Sequence, residues 1–311
     1  MSKYTRFSRT VFKFCDILCQ PLSNWWRQNT KGLTAKLDVP YGTETCQKAD
    51  IYYKAELADV KKPVFMNIHG GGFVGGDKSV RNALSIWYAK LGYFVFNINY
   101  GLAPEKMFPE GPRDCIMAYN WLVDNAEAYN LDTSRIVVGG DSSGGYLSAV
   151  VAATSYSKEL QNFYGIATKV KPCAVVLNCG IYDVKTVLSS KMIFNMAPKL
   201  ALDFCGIATD EIEKYEHRDY LSVIDYITDE FPPSFVAYAK KDIFVPGQGN
   251  RLIEKLQNFG VYEEHYEAKR FGDNHVFPLF WDAPSAKECN AQIKEFLIKK
   301  AAYENVMSEA N

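Results

Sequence analysis

Histidine is scarce in this chain: four residues in 311, at positions 69, 217, 265 and 275. Any chemistry that needs an imidazole therefore has few candidates. Charge of one sign is not in excess either. A formal net charge of −1 gives no electrostatic reason to invoke a nucleic-acid partner. No apolar stretch approaches the ~20 residues of a membrane-spanning helix. The nearest, residues 11–19, is short and is interrupted by Lys13 and Asp16, so it reads neither as a span nor as a secretory signal. The eight cysteines are scattered with no C-x-x-C, and Cys15 and Cys19 are the only near pair. A chain this long has no need of disulfides, so reduced thiols in a cytoplasmic setting are expected. Internal repeats and low-complexity linkers are lacking as well.

Two glycine-bearing segments stand out against these absences. Gly140-Asp141-Ser142-Ser143-Gly144 has the form G-x-S-x-G, and a random chain of this size shows that form roughly once in ten cases. Context decides between chance and chemistry. Arg135-Ile136-Val137-Val138 reads as a strand buried on both faces, and Gly145, Ser148, Ala149 and Ala152 recur at helical spacing after the turn. A serine between a strand and a helix on such a sharp turn presents its hydroxyl as a nucleophile. The flanking glycines have a steric reason, because the turn brings positions two before and two after the serine close together. No Gly-Lys-Ser/Thr follows, which excludes a phosphate-binding loop of that type.

The second segment, His69-Gly70-Gly71-Gly72, follows the apolar run Val64-Phe65-Met66-Asn67-Ile68. Consecutive glycines leave amide hydrogens unshielded, and each donor aimed at a forming oxyanion is worth about 10²–10³ in rate. The amides of Gly71, Gly72 and Ser143 are the candidates for that oxyanion hole. Together the two segments point to acyl transfer through Ser142.

A serine hydroxyl needs a base at neutral pH. On an α/β sheet the order of such a triad along the chain is serine, acid, histidine, which excludes His69. His217 lies in a charged stretch expected to form a solvated helix face, and His265 in an alternating run expected to be a strand. His275 follows that strand, in a loop of the kind that gathers active-site groups, and is the candidate base. Ser234-Phe235-Val236-Ala237-Tyr238-Ala239 reads as the next-to-last strand, and Asp242 at its exit is the candidate acid. Asp273, only two residues before His275, reaches the far imidazole nitrogen awkwardly and ranks below it.

These segments together resemble the hormone-sensitive-lipase-like esterases of the α/β-hydrolase superfamily. The resemblance rests on residues 69–73, on Asn99-Tyr100-Gly101-Leu102-Ala103-Pro104-Glu105 with Gly101 where the family has Arg, on Phe108-Pro109 and Asp114, and on Gly140–Gly145, Asp242 and His275. Ile243-Phe244 and Val276-Phe277 stand where the family usually has Pro-Leu and Gly-Phe. The resemblance implies an α/β-hydrolase fold, a mostly parallel central sheet with helices on both faces and a helical cap. It also implies catalytic Ser142, Asp242 and His275, oxyanion amides from Gly71, Gly72 and Ser143, and His69 as a prop for the loop. The implied activity is a serine carboxylesterase acting on short- to medium-chain esters, acetyl esters included, with no metal or organic cofactor. An amidase, deacetylase or arylformamidase would use the same triad. Some plant hormone receptors are similar to this family but lack the catalytic histidine, whereas all three positions are filled here.

With 48% hydrophobic residues, the chain can bury one large α/β domain with insertions. Helical stretches are expected at residues 79–91, 112–129, 246–259 and 284–302, alternating with the apolar runs. Two segments break the alternation. The resemblance implies that residues 1–35 and 184–231 form a cap, leaving 36–183 and 232–311 as the two parts of the core. The first segment combines Arg6, Arg9 and Lys13 with Phe7, Val11, Phe12 and Phe14, which leaves room for weak association with a lipid surface beside the expected cap packing.

Overall fold

A computed structural model of the chain describes residues 7–14, 17, 29–188, 190 and 192–301. Eight strands form one sheet: β1 (Leu33–Pro40), β2 (Lys48–Lys54), β3 (Lys62–Ile68), β4 (Phe94–Ile98), β5 (Leu131–Asp141), β6 (Ala174–Asn178), β7 (Ser234–Ala239) and β8 (Glu263–Ala268). Their order across the sheet is β1-β2-β4-β3-β5-β6-β7-β8. β1 and β2 pair antiparallel with each other, and β2 pairs antiparallel with β4. From β4 to β8 every pairing is parallel.

The period of two along the central strands explains the layers. Val64 and Met66, Ile136 and Val138, and Val175 and Leu177 all face one core, which they share with Cys115, Ile116, Leu147, Val150, Leu252 and Leu256 from the helices Glu110–Asp124, Ser143–Thr154 and Gln248–Asn258. The intervening Phe65, Val137, Val176 and Phe235 face a second core. The helices Asn82–Lys90 and Pro284–Ala301 cover that side with Ile86, Ala89, Ile293 and Phe296. Strands covered on both sides have no room for polar alternation, so they read as continuous apolar runs. The edges differ. β8 carries three carboxylates in Glu263-Glu264-His265-Tyr266-Glu267, which discourages pairing with another chain.

The chain leaves β3 towards the second core, runs through β4, and re-enters the sheet at β5 on the other side of β3. The exits of β3 and β5 therefore diverge and open a crevice at their carboxyl ends, the place where doubly wound sheets gather ligands. Between β6 and β7, residues 184–231 form the helices Val184–Leu188 and Met196–Cys205 and a series of short 3₁₀ turns. Met196, Leu200 and Phe204 are buried against the body, while Phe194 projects into solvent. Of the N-terminal segment, residues 7–14 are helical, and Arg6 lies outside the described residues. The six described cysteines are free thiols; Cys15 and Cys19 lie outside them. No described helix is long and apolar enough to cross a membrane.

Candidate active site

β5 ends at Asp141, and the helix Ser143–Thr154 begins two residues later, so Ser142 alone makes the turn. Its backbone is held at φ 55° and ψ −121°, a region that costs a residue other than glycine of order 1–3 kcal/mol. The surroundings impose it. A Cβ on Gly140 would lie 2.6 Å from Gly144, and one on Gly144 would lie 2.1 Å from the Ile68 carbonyl. The expected crowding between the two glycines is present, and the end of β3 adds a second wall.

Ser142 Oγ lies 2.8 Å from His275 Nε2, and His275 Nδ1 lies 2.8 Å from Asp242 Oδ2. The other carboxylate oxygen, Oδ1, accepts the amides of Phe244 (2.9 Å) and Val245 (2.8 Å). Burial alone would raise the Asp242 pKa, but attraction to His275 and these two amides hold it below the usual aspartate range. Asp242 thus stays a carboxylate, and Nδ1 carries the proton that faces it. Nε2 is then left with a lone pair towards the serine hydroxyl. That is the tautomer a general base requires.

The loop after β3 arches over this group. Gly71 adopts φ 133°, and a Cβ there would meet the Gly75 carbonyl at 2.1 Å, so only glycine fits. Gly72, at φ 61°, follows, while Ser143 opens the helix whose first amides carry the positive end of the helix dipole. His69 is fully buried behind the loop. Its Nδ1–H donates to the Gly70 carbonyl (2.8 Å), its ring stacks on Tyr100 at 4.6 Å, and the Tyr100 hydroxyl donates to its carbonyl (3.0 Å).

Burial, helped by the nearby Arg81 charge, outweighs the Gly70 carbonyl and lowers the His69 pKa from 6.5 to about 4. A folded value below the unfolded one means that the unfolded chain takes up a proton first. Stability from this group is therefore intact above pH 6.5 and is lost as pH falls from there towards 4. The loss amounts to about 3 kcal/mol at about 1.4 kcal/mol per unit. Denaturant unfolding of wild type and His69→Asn across that range should show a shallower pH dependence in the variant. Equal slopes would contradict it.

Two neighbours, Arg81 and Asn274, gave no signal in the sequence, and a third, Phe12, was expected only in the N-terminal cap segment. Arg81 is paired with Asp141 through two contacts, Nε to Oδ1 at 2.6 Å and Nη2 to Oδ2 at 2.7 Å, and the Gly70 amide donates to the same carboxylate. The pair joins the Ser142 turn to the glycine loop beneath both. Removing one partner would strand a buried charge, at a cost of about 3–5 kcal/mol. Asn274 Oδ1 accepts the amides of His275 (2.8 Å) and Ile243 (3.1 Å), tying the histidine loop to the aspartate loop. Phe12 places its ring 2.3 Å from where a Gly72 side chain would start.

The remaining candidates sit elsewhere. Asp273 accepts from the Arg270 amide and the Ser285 hydroxyl, pinning the histidine loop to the last helix. His265 projects from β8 towards Glu263. His217 is not on a solvated helix face: it is half-buried among the rings of Phe163, Tyr215 and Phe108, because 3₁₀ turns fold that stretch back on the body. Among the described residues one cluster has metal-ligand chemistry, Cys179 with Asp242 and His275, its ligand atoms within 4.8 Å of one another. A cation there would take Nδ1 and force the proton onto Nε2. Beside Phe73 lies a wholly apolar cavity of about 30 Å³, lined by Ile181, Val187, Met192, Leu200 and Phe204 among others.

Residues 49–256 match the family model BD-FAE. The chain is 28% identical over 279 residues to a probable carboxylic ester hydrolase, LipM, of Mycobacterium tuberculosis; the match covers 88% of the chain and 63% of that protein's length. It is 39% identical over 166 residues to the hormone-sensitive lipase of Mus musculus, covering 51% of the chain and 20% of the lipase. The chain thus spans less than two thirds of these relatives. Among solved structures, esterase B of Lactobacillus rhamnosis superposes with a TM-score of 0.76 at 21% identity, over 91% of this chain and 90% of that one. An esterase of Pyrobaculum calidifontis gives 0.74 at 22% identity, over 97% and 94%. Both share the α/β-hydrolase fold seen here.

Proposed function

The chain belongs to the BD-FAE family, within the hormone-sensitive-lipase-like α/β-hydrolases, and we propose that it is a serine carboxylesterase that works through an acyl-enzyme. The observation that carries this reading is the unbroken relay from Ser142 through His275 to Asp242, with 2.8 Å at each step. Ser142 Oγ attacks the ester carbonyl while His275 Nε2 takes its proton. The carbonyl oxygen becomes an oxyanion, held by the amides of Gly71, Gly72 and Ser143. His275 then gives the proton to the leaving alcohol, and water repeats the sequence to release the acid. Asp242 stabilises the imidazolium and does not itself take a proton. His69 supports the glycine loop, its neutral ring braced between Gly70 and Tyr100.

The acyl group is assigned to the cavity beside Phe73, which follows Gly72 in the chain, although none of the relay residues lines it. At about 30 Å³ it admits little more than a small alkyl group before the cap residues Met192, Leu200 and Phe204 must move. Residues 184–231 serve as part of the cap in this reading, with the helix at residues 7–14 beside them, whereas residues 33–35, expected in the cap, belong to β1 of the sheet. Purified protein should hydrolyse p-nitrophenyl acetate, with turnover falling as the acyl chain lengthens. Turnover equal to that of Ser142→Ala would overturn the proposal, and a preference for a long acyl chain would overturn only the assignment of the cavity.

A further inference from the structure

The helix at residues 7–14 has two unlike faces. On its inner face, Arg9 donates to the carbonyls of Val74 (3.0 Å) and Ala103 (2.9 Å) and pairs with Glu105. Phe12 covers Gly72 and lies 6.1 Å from Phe244, whose ring is 5.1 Å from His275. The helix is therefore moored on the rim of the Ser142 site. On an α-helix, residues seven apart fall within about 20° of each other, which aligns Phe7 with Phe14 on the side away from Arg9 and Phe12. Ile17, with Lys13, lies beside Arg9 along a groove against Val74, Gly75 and Leu102. Phe7, Phe14 and Ile17 are 41%, 58% and 55% exposed.

The cap continues this apolar strip. Lys199 Nζ stands 4.1 Å over the Phe7 ring and donates to the Phe194 carbonyl (2.8 Å). The Ile193 amide donates to the Ile243 carbonyl (3.1 Å). Phe194 is 61% and Ile243 41% exposed. Phe194 is also held at φ 54°, a left-handed conformation that a bulky residue adopts at a cost, and its ring stays in solvent. Three regions distant in sequence thus bring large apolar side chains to one rim. Basic residues accompany them: Lys13 on the helix, Lys199 between Phe7 and Phe194, and Lys240-Lys241 just before Ile243, in a chain whose net charge is −1.

We propose that this strip docks the protein on an anionic phospholipid bilayer, with the mouth of the Ser142 site facing the lipid. An exposed apolar patch with basic residues set among it fits the acyl boundary and the phosphate headgroups together. Docking would bring esters dissolved in the lipid to the entrance. That purpose rests on the proposed esterase reading; the docking itself does not.

The full chain should float with vesicles of equimolar phosphatidylcholine and phosphatidylglycerol. It should float less with phosphatidylcholine alone, and less as salt is added. Combining Phe7→Ser, Phe14→Ser and Phe194→Ser should weaken partitioning by about 100-fold, while turnover of soluble p-nitrophenyl acetate stays unchanged. Ser142→Ala should float like wild type, so a failed esterase reading is distinguishable from a failed docking one. If the triple variant does not fold, Lys13→Glu with Lys199→Glu should abolish the preference for phosphatidylglycerol. Wild type that stays in solution, or variants that float as it does, would overturn the proposal. So would light scattering that shows a dimer dispersed by the triple variant without flotation.

Discussion

Ser142→Ala is expected to lower turnover of p-nitrophenyl acetate by about 10⁶-fold, the scale seen when a triad loses its nucleophile. The physical basis is that the alcohol, the imidazole and the carboxylate act as one unit. With Oγ gone, His275 has no proton to take, and the glycine loop has no tetrahedral oxyanion to hold. What survives is binding and polarisation of the carbonyl, worth about 10³–10⁴ over water in such sites. The substitution itself costs the fold little. Alanine tolerates the turn no worse than serine, and no described hydrogen bond other than that to His275 uses Oγ. Steady-state kinetics beside a thermal unfolding midpoint would separate the two effects. A loss below about 100-fold would move the nucleophile elsewhere.

Asp242→Asn should lower kcat by about 10⁴-fold with KM nearly unchanged. The surroundings of the carboxylate dictate how. Oδ1 is fixed by the amides of Phe244 and Val245, which require an acceptor. An asparagine would keep its carbonyl oxygen there and turn its NH₂ group towards His275 Nδ1. The imidazole must then accept at Nδ1, which puts its proton on Nε2, facing Ser142. An Nε2 that already carries a proton has no lone pair with which to take the one from Ser142. The fold survives, because the two amides keep their acceptor and only the hydrogen bond to His275 reverses. The measurement is kcat and KM for the variant with circular dichroism as control. A drop below tenfold would show that another group sets the tautomer.

Two kinds of information can be separated in this chain. The sequence by itself determined the fold class and the residues of the candidate relay. Apolar runs alternating with helical stretches require strands covered on both sides, and the glycines around Ser142 declare a turn too tight for side chains. Each of these signals is carried by residues within a few positions of one another, where sterics and periodicity act directly. Chain order then excluded His69, and the strand exits at Asp242 and His275 singled these two out from the histidines and aspartates that follow Ser142. The tertiary structure alone decided the supports. Arg81 meets Asp141 across 60 residues. Asn274 closes the gap to the aspartate loop, and Phe12 reaches the glycine loop from the far N-terminus. Such partners depend on where the crossovers return each strand to the sheet, and no local pattern around an arginine or an asparagine records which carboxylate or amide will arrive beside it.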